Sequence, residues 1–184
     1  MLSHPRLAPY TLDYFARNKA FLAASEVERT PDFYTLKGQR VMLRRERRSA
    51  KGLYELRYWL LPLRRDKVIG TVMLNGIMRM PLNSAFLGYR LDQDETGKGY
   101  AREAVRRLLK IAFDDLELHR LEANILTDNQ PSLRLAEELG FVREGVSRQY
   151  LYLDGQWRDH QRLALLAHDY AVQDVQLGRK AAFL

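Results

Sequence analysis

The stretch Leu91-Asp-Gln-Asp-Glu-Thr-Gly-Lys-Gly-Tyr-Ala101 joins a short alternating apolar run to the most regular helical pattern in the chain. Ahead of it Ala85, Leu87, Tyr89 and Leu91 share one parity and Phe86 takes the other, which predicts a strand. After it Ala101, Ala104, Val105, Leu108, Leu109, Ala112 and Leu116 recur at helical spacing. Glu103 stands four residues before Arg107, the favourable order for a helical ion pair. Gly97 and Gly99 carry no Cβ, so a ligand can come close to the backbone there. The first N–H groups of the helix have no internal partners and sit at the positive end of its dipole, a ready seat for phosphate oxygens. Lys98 adds positive charge. The spacing is not Gly-x-Gly-x-x-Gly, because Arg102 occupies the third glycine place, nor Gly-x-x-x-x-Gly-Lys-Ser/Thr. Read structurally, the same residues are a flexible turn that caps a helix.

Working outward, the first fifty residues read as two helices. Leu12, Tyr14, Phe15, Ala20, Phe21 and Leu22 mark the first; a break at Thr30-Pro31-Asp32 precedes a basic second one from about Phe33 to Ala50. After Gly52 the period falls to two. Residues 54–63 and 68–74 read as a hairpin turning at Arg64-Arg65-Asp66-Lys67, and Asn75-Gly76 reads as a further turn. Beyond the glycine loop and its helix, Arg120 to Leu126 alternates, with Leu121, Ala123 and Ile125 inward. A short helix follows, with Pro131 in its first turn, Leu135, Ala136 and Leu139 on its apolar face and Gly140 just past its end. Asp154-Gly155 between two alternating runs signals a closing hairpin. One strand–helix–strand unit among mostly antiparallel neighbours predicts a single α+β domain over residues 1–167, with 168–184 as a tail of unassigned role.

At 184 residues, 46% apolar and 29% charged, the chain is long enough and ordinary enough to bury a core of its own. No apolar run reaches the length of a membrane span, and Met1 to Tyr10 has neither the apolar core nor the cleavage site of a secretory signal. Cysteine is absent, which excludes disulfides, thiolate nucleophiles and Cys-ligated zinc and fits a reducing, cytoplasmic setting. The four histidines, at 4, 119, 160 and 168, form no helical metal-ligand pair, so no metal is expected. The formal charge of +7 favours anionic partners without naming one. Arg40, Arg44, Arg45, Arg47, Arg48 and Lys51 read first as a solvated helix face, and second as a surface for RNA or an acidic protein.

The ordered set Gly97-Lys-Gly-Tyr-Ala101, Asn129-Gln-Pro-Ser132, Glu138-Leu-Gly-Phe141 and Glu144-Gly145 resembles the GNAT acetyltransferase superfamily. More narrowly it is similar to the ribosomal-protein-alanine N-acetyltransferases of RimJ/RimL type. Arg17-Asn-Lys-Ala-Phe-Leu22 and Tyr150-Leu-Tyr-Leu-Asp-Gly-Gln-Trp-Arg-Asp-His160 add to the likeness, which runs from about residue 12 to residue 167. The resemblance implies a mixed, mostly antiparallel sheet with flanking helices, and acetyl-CoA as cosubstrate. It places the pyrophosphate on Thr96, Gly97, Lys98, Gly99, Tyr100 and Ala101, with Thr96 standing where Gln or Arg is usual. It places the pantetheine arm along a splayed strand at Tyr89, Arg90 and Leu91. Asn129 and Ser132 would face the pantetheine and the sulfur, with Ser132 as hydrogen-bond donor or general acid to the leaving thiolate; read structurally, they are what any helix start prefers. Tyr150 and Trp157 would shape the acceptor site, and Tyr152 reads first as sheet packing.

Two departures go with it. Leu151 stands where the RimL side carries a glutamate base, leaving Tyr150, Asp159 and His160 as substitutes, of which the lone histidine reads first as structural. Family members also open with a strand that His4-Pro5-Arg6-Leu7 shortens or lacks. The implied activity is acetyl transfer to an amine by direct attack, first to a protein N-terminal α-amino group with possible ribosome association. The alternatives are a small-molecule amine, antibiotics included, and a non-catalytic RNA- or ribosome-binding protein.

Overall fold

A computed structural model describes residues 1–23, 25–62 and 67–176. These form six strands, β1 (Glu55–Leu60), β2 (Gly70–Met78), β3 (Ser84–Leu91), β4 (Arg120–Leu126), β5 (Val142–Leu153) and β6 (Gln156–Leu166), in one sheet of order β1-β2-β3-β4-β6-β5. Every neighbouring pair is antiparallel except β3 and β4, which are parallel and connected through a helix. The helices are α1 (Ala8–Arg17), α2 (Lys19–Ala23), α3 (Leu36–Lys51), α4 (Tyr100–Lys110), α5 (Gln130–Glu138) and α6 (Ala167–Gln176). The α+β architecture expected from the sequence is the one found.

Strand parity divides the core in two. Leu56, Val72, Leu74, Ala85, Leu87, Leu121, Ala123, Leu163 and Leu165 pack against Val105, Leu108 and Leu109 of α4 and Leu133 and Ala136 of α5. On the opposite face Trp59 and Val68 meet Tyr14 and Phe15 of α1 and Leu43 of α3. Trp59, Tyr14, Phe15 and Phe33 form a chain of edge-to-face ring contacts there. Glu46 of α3 is buried in this second cluster. It accepts from Ser3 Oγ at 2.6 Å and Trp59 Nε1 at 3.2 Å, and pairs with Arg57 at 3.2 Å. Burial raises its pKa while Arg57, Ser3 and Trp59 pull the other way.

Several sequence expectations need correction. Asn75-Gly76 does not turn the chain: it lies inside β2, where the register slips against β3 and Gly76 takes φ +56°. A bulge draws on the same left-handed backbone as a turn, so the dipeptide carries the signal of both. The helix expected to run to Leu116 leaves α geometry at Lys110 and closes with a π-helical turn, Ile111–Asp115, with Leu116 N–H donating to Ile111 O at 2.9 Å. The shortened opening strand survives as one bridge, Leu2 to Tyr58, beside which the Met1 ammonium donates to Trp59 O and Trp59 N–H to Met1 O, both at 2.8 Å. Arg64, Arg65 and Asp66 of the first expected hairpin turn lie outside the described residues, although β1 and β2 pair as foreseen. Of the segment left unassigned, α6 docks through Tyr170, which stacks on Phe113 at 4.9 Å; residues 177–184 lie outside the described residues.

Candidate active site

The parallel pair β3 and β4 is joined at only three positions, Ser84 to Arg120, Ala85 to Leu121 and Phe86 to Glu122. β3 continues to Leu91 on its pairing with β2, and β4 continues to Leu126 on its pairing with β6. The strands therefore part beyond Phe86 and leave an opening in the middle of the sheet, the splay foreseen for Tyr89 to Leu91. Backbone groups on the facing edges of such an opening are free to bind an extended ligand.

The glycine loop closes one end of the opening, and its position is fixed from α1. Arg17 pairs with the buried carboxylate of Asp92 and donates to Val68 O at 3.1 Å, while Asn18 Oδ1 accepts from Gln93 N–H at 2.9 Å. This is the work of Arg17 and Asn18 in the family-like segment 17–22. Thr96 Oγ1 turns back to Gln93 O at 2.9 Å, so its hydroxyl supports the loop. Lys98 turns back too, to Glu95 at 3.0 Å, and Lys67 holds the other oxygen of Glu95 at 2.7 Å. Lys67 first and Lys98 second hold that carboxyl below the usual carboxylate range. The positive charge expected of Lys98 is thus already engaged, and the backbone is what the loop offers.

Gly97 and Gly99 have φ of +73° and +85°, and beyond the adjoining residues a Cβ on either would meet no atom of the described residues within 4 Å. No described residue fills the space in front of them. Gly99 caps α4, and the exposed Tyr100 and half-buried Ala101 begin it. A groove of about 390 Å³ starts at Gly99 and runs along α4 past Arg102, Arg106 and Lys110 to Tyr170. Arg102 also reaches Glu138, tying α4 to α5.

At the other wall Asn129 Oδ1 accepts from Ser132 N–H at 3.2 Å, the ordinary capping bond of α5. Ser132 Oγ lies 2.8 Å from Tyr89 Oη, and the phenol also reaches Ser132 O at 3.0 Å. Tyr89, Asn129 and Ser132 are therefore brought together across the opening. Burial raises the Tyr89 pKa, so its hydroxyl stays protonated throughout the physiological range. Arg90 and Leu91 follow Tyr89 on the same strand, but the Arg90 side chain points away from Ser132. It pairs with Glu26 and lies over the Phe15 ring at 5.9 Å.

The substitute bases are engaged elsewhere. Asp159 Oδ1 accepts from Gln149 N–H at 2.7 Å, where β5 bulges. His160 is buried, its Nδ1 lies 3.1 Å from Arg158 O, and burial lowers its pKa. Leu151 is exposed and opposite Arg158. Tyr150 crosses over the His160 ring at 5.3 Å and its hydroxyl accepts from Asn124 Nδ2 at 3.2 Å. Asn124, on the part of β4 that β3 no longer covers, was missed in the sequence, where it reads as one polar position of an alternating strand. Its Oδ1 is buried without a hydrogen-bond partner among the described residues. Trp157 sits near the tip of the β5–β6 hairpin, exposed and edge-on to Tyr152 at 5.5 Å. Among the described residues no group of His, Cys, Asp and Glu could hold a metal ion, and no helix is long and apolar enough to cross a membrane.

A parallel pair that splays beside a glycine-capped helix leaves room for an extended ligand, and residues 6–142 match the acetyltransferase (GNAT) domain family. The chain belongs to that family and is an acetyl-CoA-dependent N-acetyltransferase. It is 38% identical to a probable N-acetyltransferase of Bacillus subtilis, YjcK, over 84% of this chain and 85% of that one. It superposes on the ribosomal-protein-S5-alanine acetyltransferase of Vibrio fischeri with a TM-score of 0.88 and 32% identity, covering 92% and 93% of the two chains. Mycobacterium smegmatis RimJ, solved with a CoA-disulfide, gives a TM-score of 0.85 at 26% identity, covering 96% of this chain and 87% of that one.

Proposed function

We propose that the acceptor is the α-amino group of a protein N-terminus, of the ribosomal-protein-alanine type. The observation that carries this reading is the likeness to the S5-alanine acetyltransferase of Vibrio fischeri, which extends over nearly all of both chains. The pyrophosphate of acetyl-CoA sits on the amides from Gly97 to Ala101, and its nucleotide end follows the arginine-lined groove beside α4. The pantetheine arm lies along β3 in the opening and brings the thioester to Ser132.

The neutral amine attacks the thioester carbonyl and the C–S bond breaks. The Ser132 hydroxyl gives its proton to the departing sulfur, and the proton lost by the nitrogen returns through water to Ser132, which ends the cycle as a hydroxyl. An α-amino group has a pKa near 8, so a sizeable fraction is neutral at pH 7 and a strong base is not needed. That agrees with the engagement of Asp159 and His160 in holding the sheet. Asn124 Oδ1 and the Tyr150 hydroxyl are placed to receive the amine; Trp157 meets residues further along a peptide.

A small polycation would want free carboxylates beside the opening. Glu122 is instead bound by Arg120 at 3.0 Å and Arg162 at 2.8 Å, and Glu144 by Arg120, which favours a peptide over a polyamine. The deciding experiment is a thiol-release assay with alanine-initiated peptides against a panel of free amines, antibiotics included. Turnover of the peptides is expected; turnover confined to the free amines would reverse the assignment.

A further inference from the structure

Helix α3 carries Lys37, Arg40, Arg44, Arg45, Arg47, Arg48 and Lys51, and its one acid, Glu46, is turned inward and spent on Arg57, Ser3 and Trp59. All seven cations are exposed. None of them forms an ion pair among the described residues, whereas Arg102, Arg107 and Lys110 of the other basic helix, α4, pair with Glu138, Glu103 and Asp114. At 3.6 residues per turn, Lys37, Arg40, Arg44, Arg47, Arg48 and Lys51 fall within an arc of about 100°, over a length of about 21 Å. The buried Gln39, Leu43 and Glu46 occupy a separate arc that adjoins it. Six like charges on one stripe repel one another. An isolated helix would gain from interleaved acids, and here there are none.

We infer that this stripe of α3 is a docking surface for the phosphate backbone of double-helical RNA. The chemistry favours nucleic acid over an acidic protein. The stripe is mostly arginine, whose fork matches phosphate oxygens, and it lacks the apolar centre that a protein interface requires. A straight row of cations without base-reading groups suits RNA duplexes, which are recognised mostly by shape and backbone. The choice of RNA over DNA rests on the proposed acceptor, since a ribosomal protein is met among RNA phosphates.

The test is fluorescence anisotropy of a labelled 20-base-pair RNA duplex with the full chain, the variant R40Q/R44Q/R47Q/R48Q, and the matching four-lysine variant. Wild-type affinity should fall by about two to three powers of ten between 50 and 200 mM salt. The four-glutamine variant should bind at least tenfold more weakly, with a salt slope shallower by about three to four. The four-lysine variant should keep most of the salt dependence. All three should melt alike, and all should acetylate a free alanine-initiated peptide equally. Absence of wild-type binding at 50 mM salt, undiminished binding by the glutamine variant, or equal displacement by DNA duplex or polyglutamate would overturn the inference. RNA binding without peptide acetylation would leave it standing and remove the acceptor assignment alone.

Discussion

The phenol of Tyr89 and the hydroxyl of Ser132 lie 2.8 Å apart, joining β3 to the first turn of α5 across 43 positions of sequence. The phenol has one proton for two acceptors, Ser132 Oγ and Ser132 O. When it is given to Oγ, the serine proton is released toward the opening. Ser132→Ala is therefore expected to lower kcat about a hundredfold while leaving the CoA-induced rise in melting temperature nearly intact. Tyr89→Phe should cost up to roughly tenfold in kcat, the worth of one hydrogen bond. The double variant should be no slower than Ser132→Ala alone, because both changes break one linkage. Thiol-release kinetics check all three, and additive losses would mean that the two hydroxyls act separately.

Gly99 tests the loop. Gly99→Ala puts a methyl into space that no described residue occupies, at φ +85°. The unliganded protein should lose only about 1–2 kcal/mol, the backbone cost of the left-handed region. Acetyl-CoA binding, measured by calorimetry, should weaken at least tenfold, since the methyl would stand where the ligand approaches the amides.

Tyr14 should contribute to the loss of stability at alkaline pH. It is fully buried, its hydroxyl has no hydrogen-bond partner among the described residues, and burial pushes its pKa up to about 12. Both folded and unfolded chains hold this proton below pH 10. Between pH 10 and 12 only the unfolded chain releases it, so stability falls with rising pH, by roughly 2–3 kcal/mol from this group. Tyr14→Phe should be about 1 kcal/mol more stable at pH 7, by removing an unsatisfied hydroxyl. The same variant should show a flatter decline above pH 10 in urea titrations.

Glu46 anchors α3 from below. Glu46→Ala leaves Arg57 buried without one of its partners and should destabilise by about 3–5 kcal/mol. Glu46→Gln keeps an acceptor for Ser3 and Trp59 and should cost less. Urea unfolding separates the two. Peptide turnover of the surviving folded fraction should be unchanged, because Glu46 faces the cluster opposite Ser132.

Much of this arrangement was legible because it is local. The period-two run before Leu91, the helical period after Ala101 as far as Lys110, the capping set from Asn129 to Ser132 and the Asp154-Gly155 hairpin each occupy a few consecutive residues and formed as expected. What escaped reading is long-range or ambiguous in kind. Nothing near Glu46 marks it as buried, since it sits among arginines that all face solvent. Arg17 and Asn18 reach Asp92 and Gln93 across 75 positions, a contact that periodicity does not encode. Asn124 looks like any outward strand residue until the departure of β3 uncovers it. Asn75-Gly76 has the backbone preference of a turn and is used for a bulge.

The three-position seam between β3 and β4 carries a mechanical consequence. Each half of the sheet is well knit within itself, and the line between them is the easiest place to pull the fabric apart. Amide hydrogens bordering that line should exchange with solvent sooner than their neighbours on β2 or β6. A long molecule threaded there acts as stitching, so the resting enzyme should be looser than the loaded one, and release of product should restore the slack.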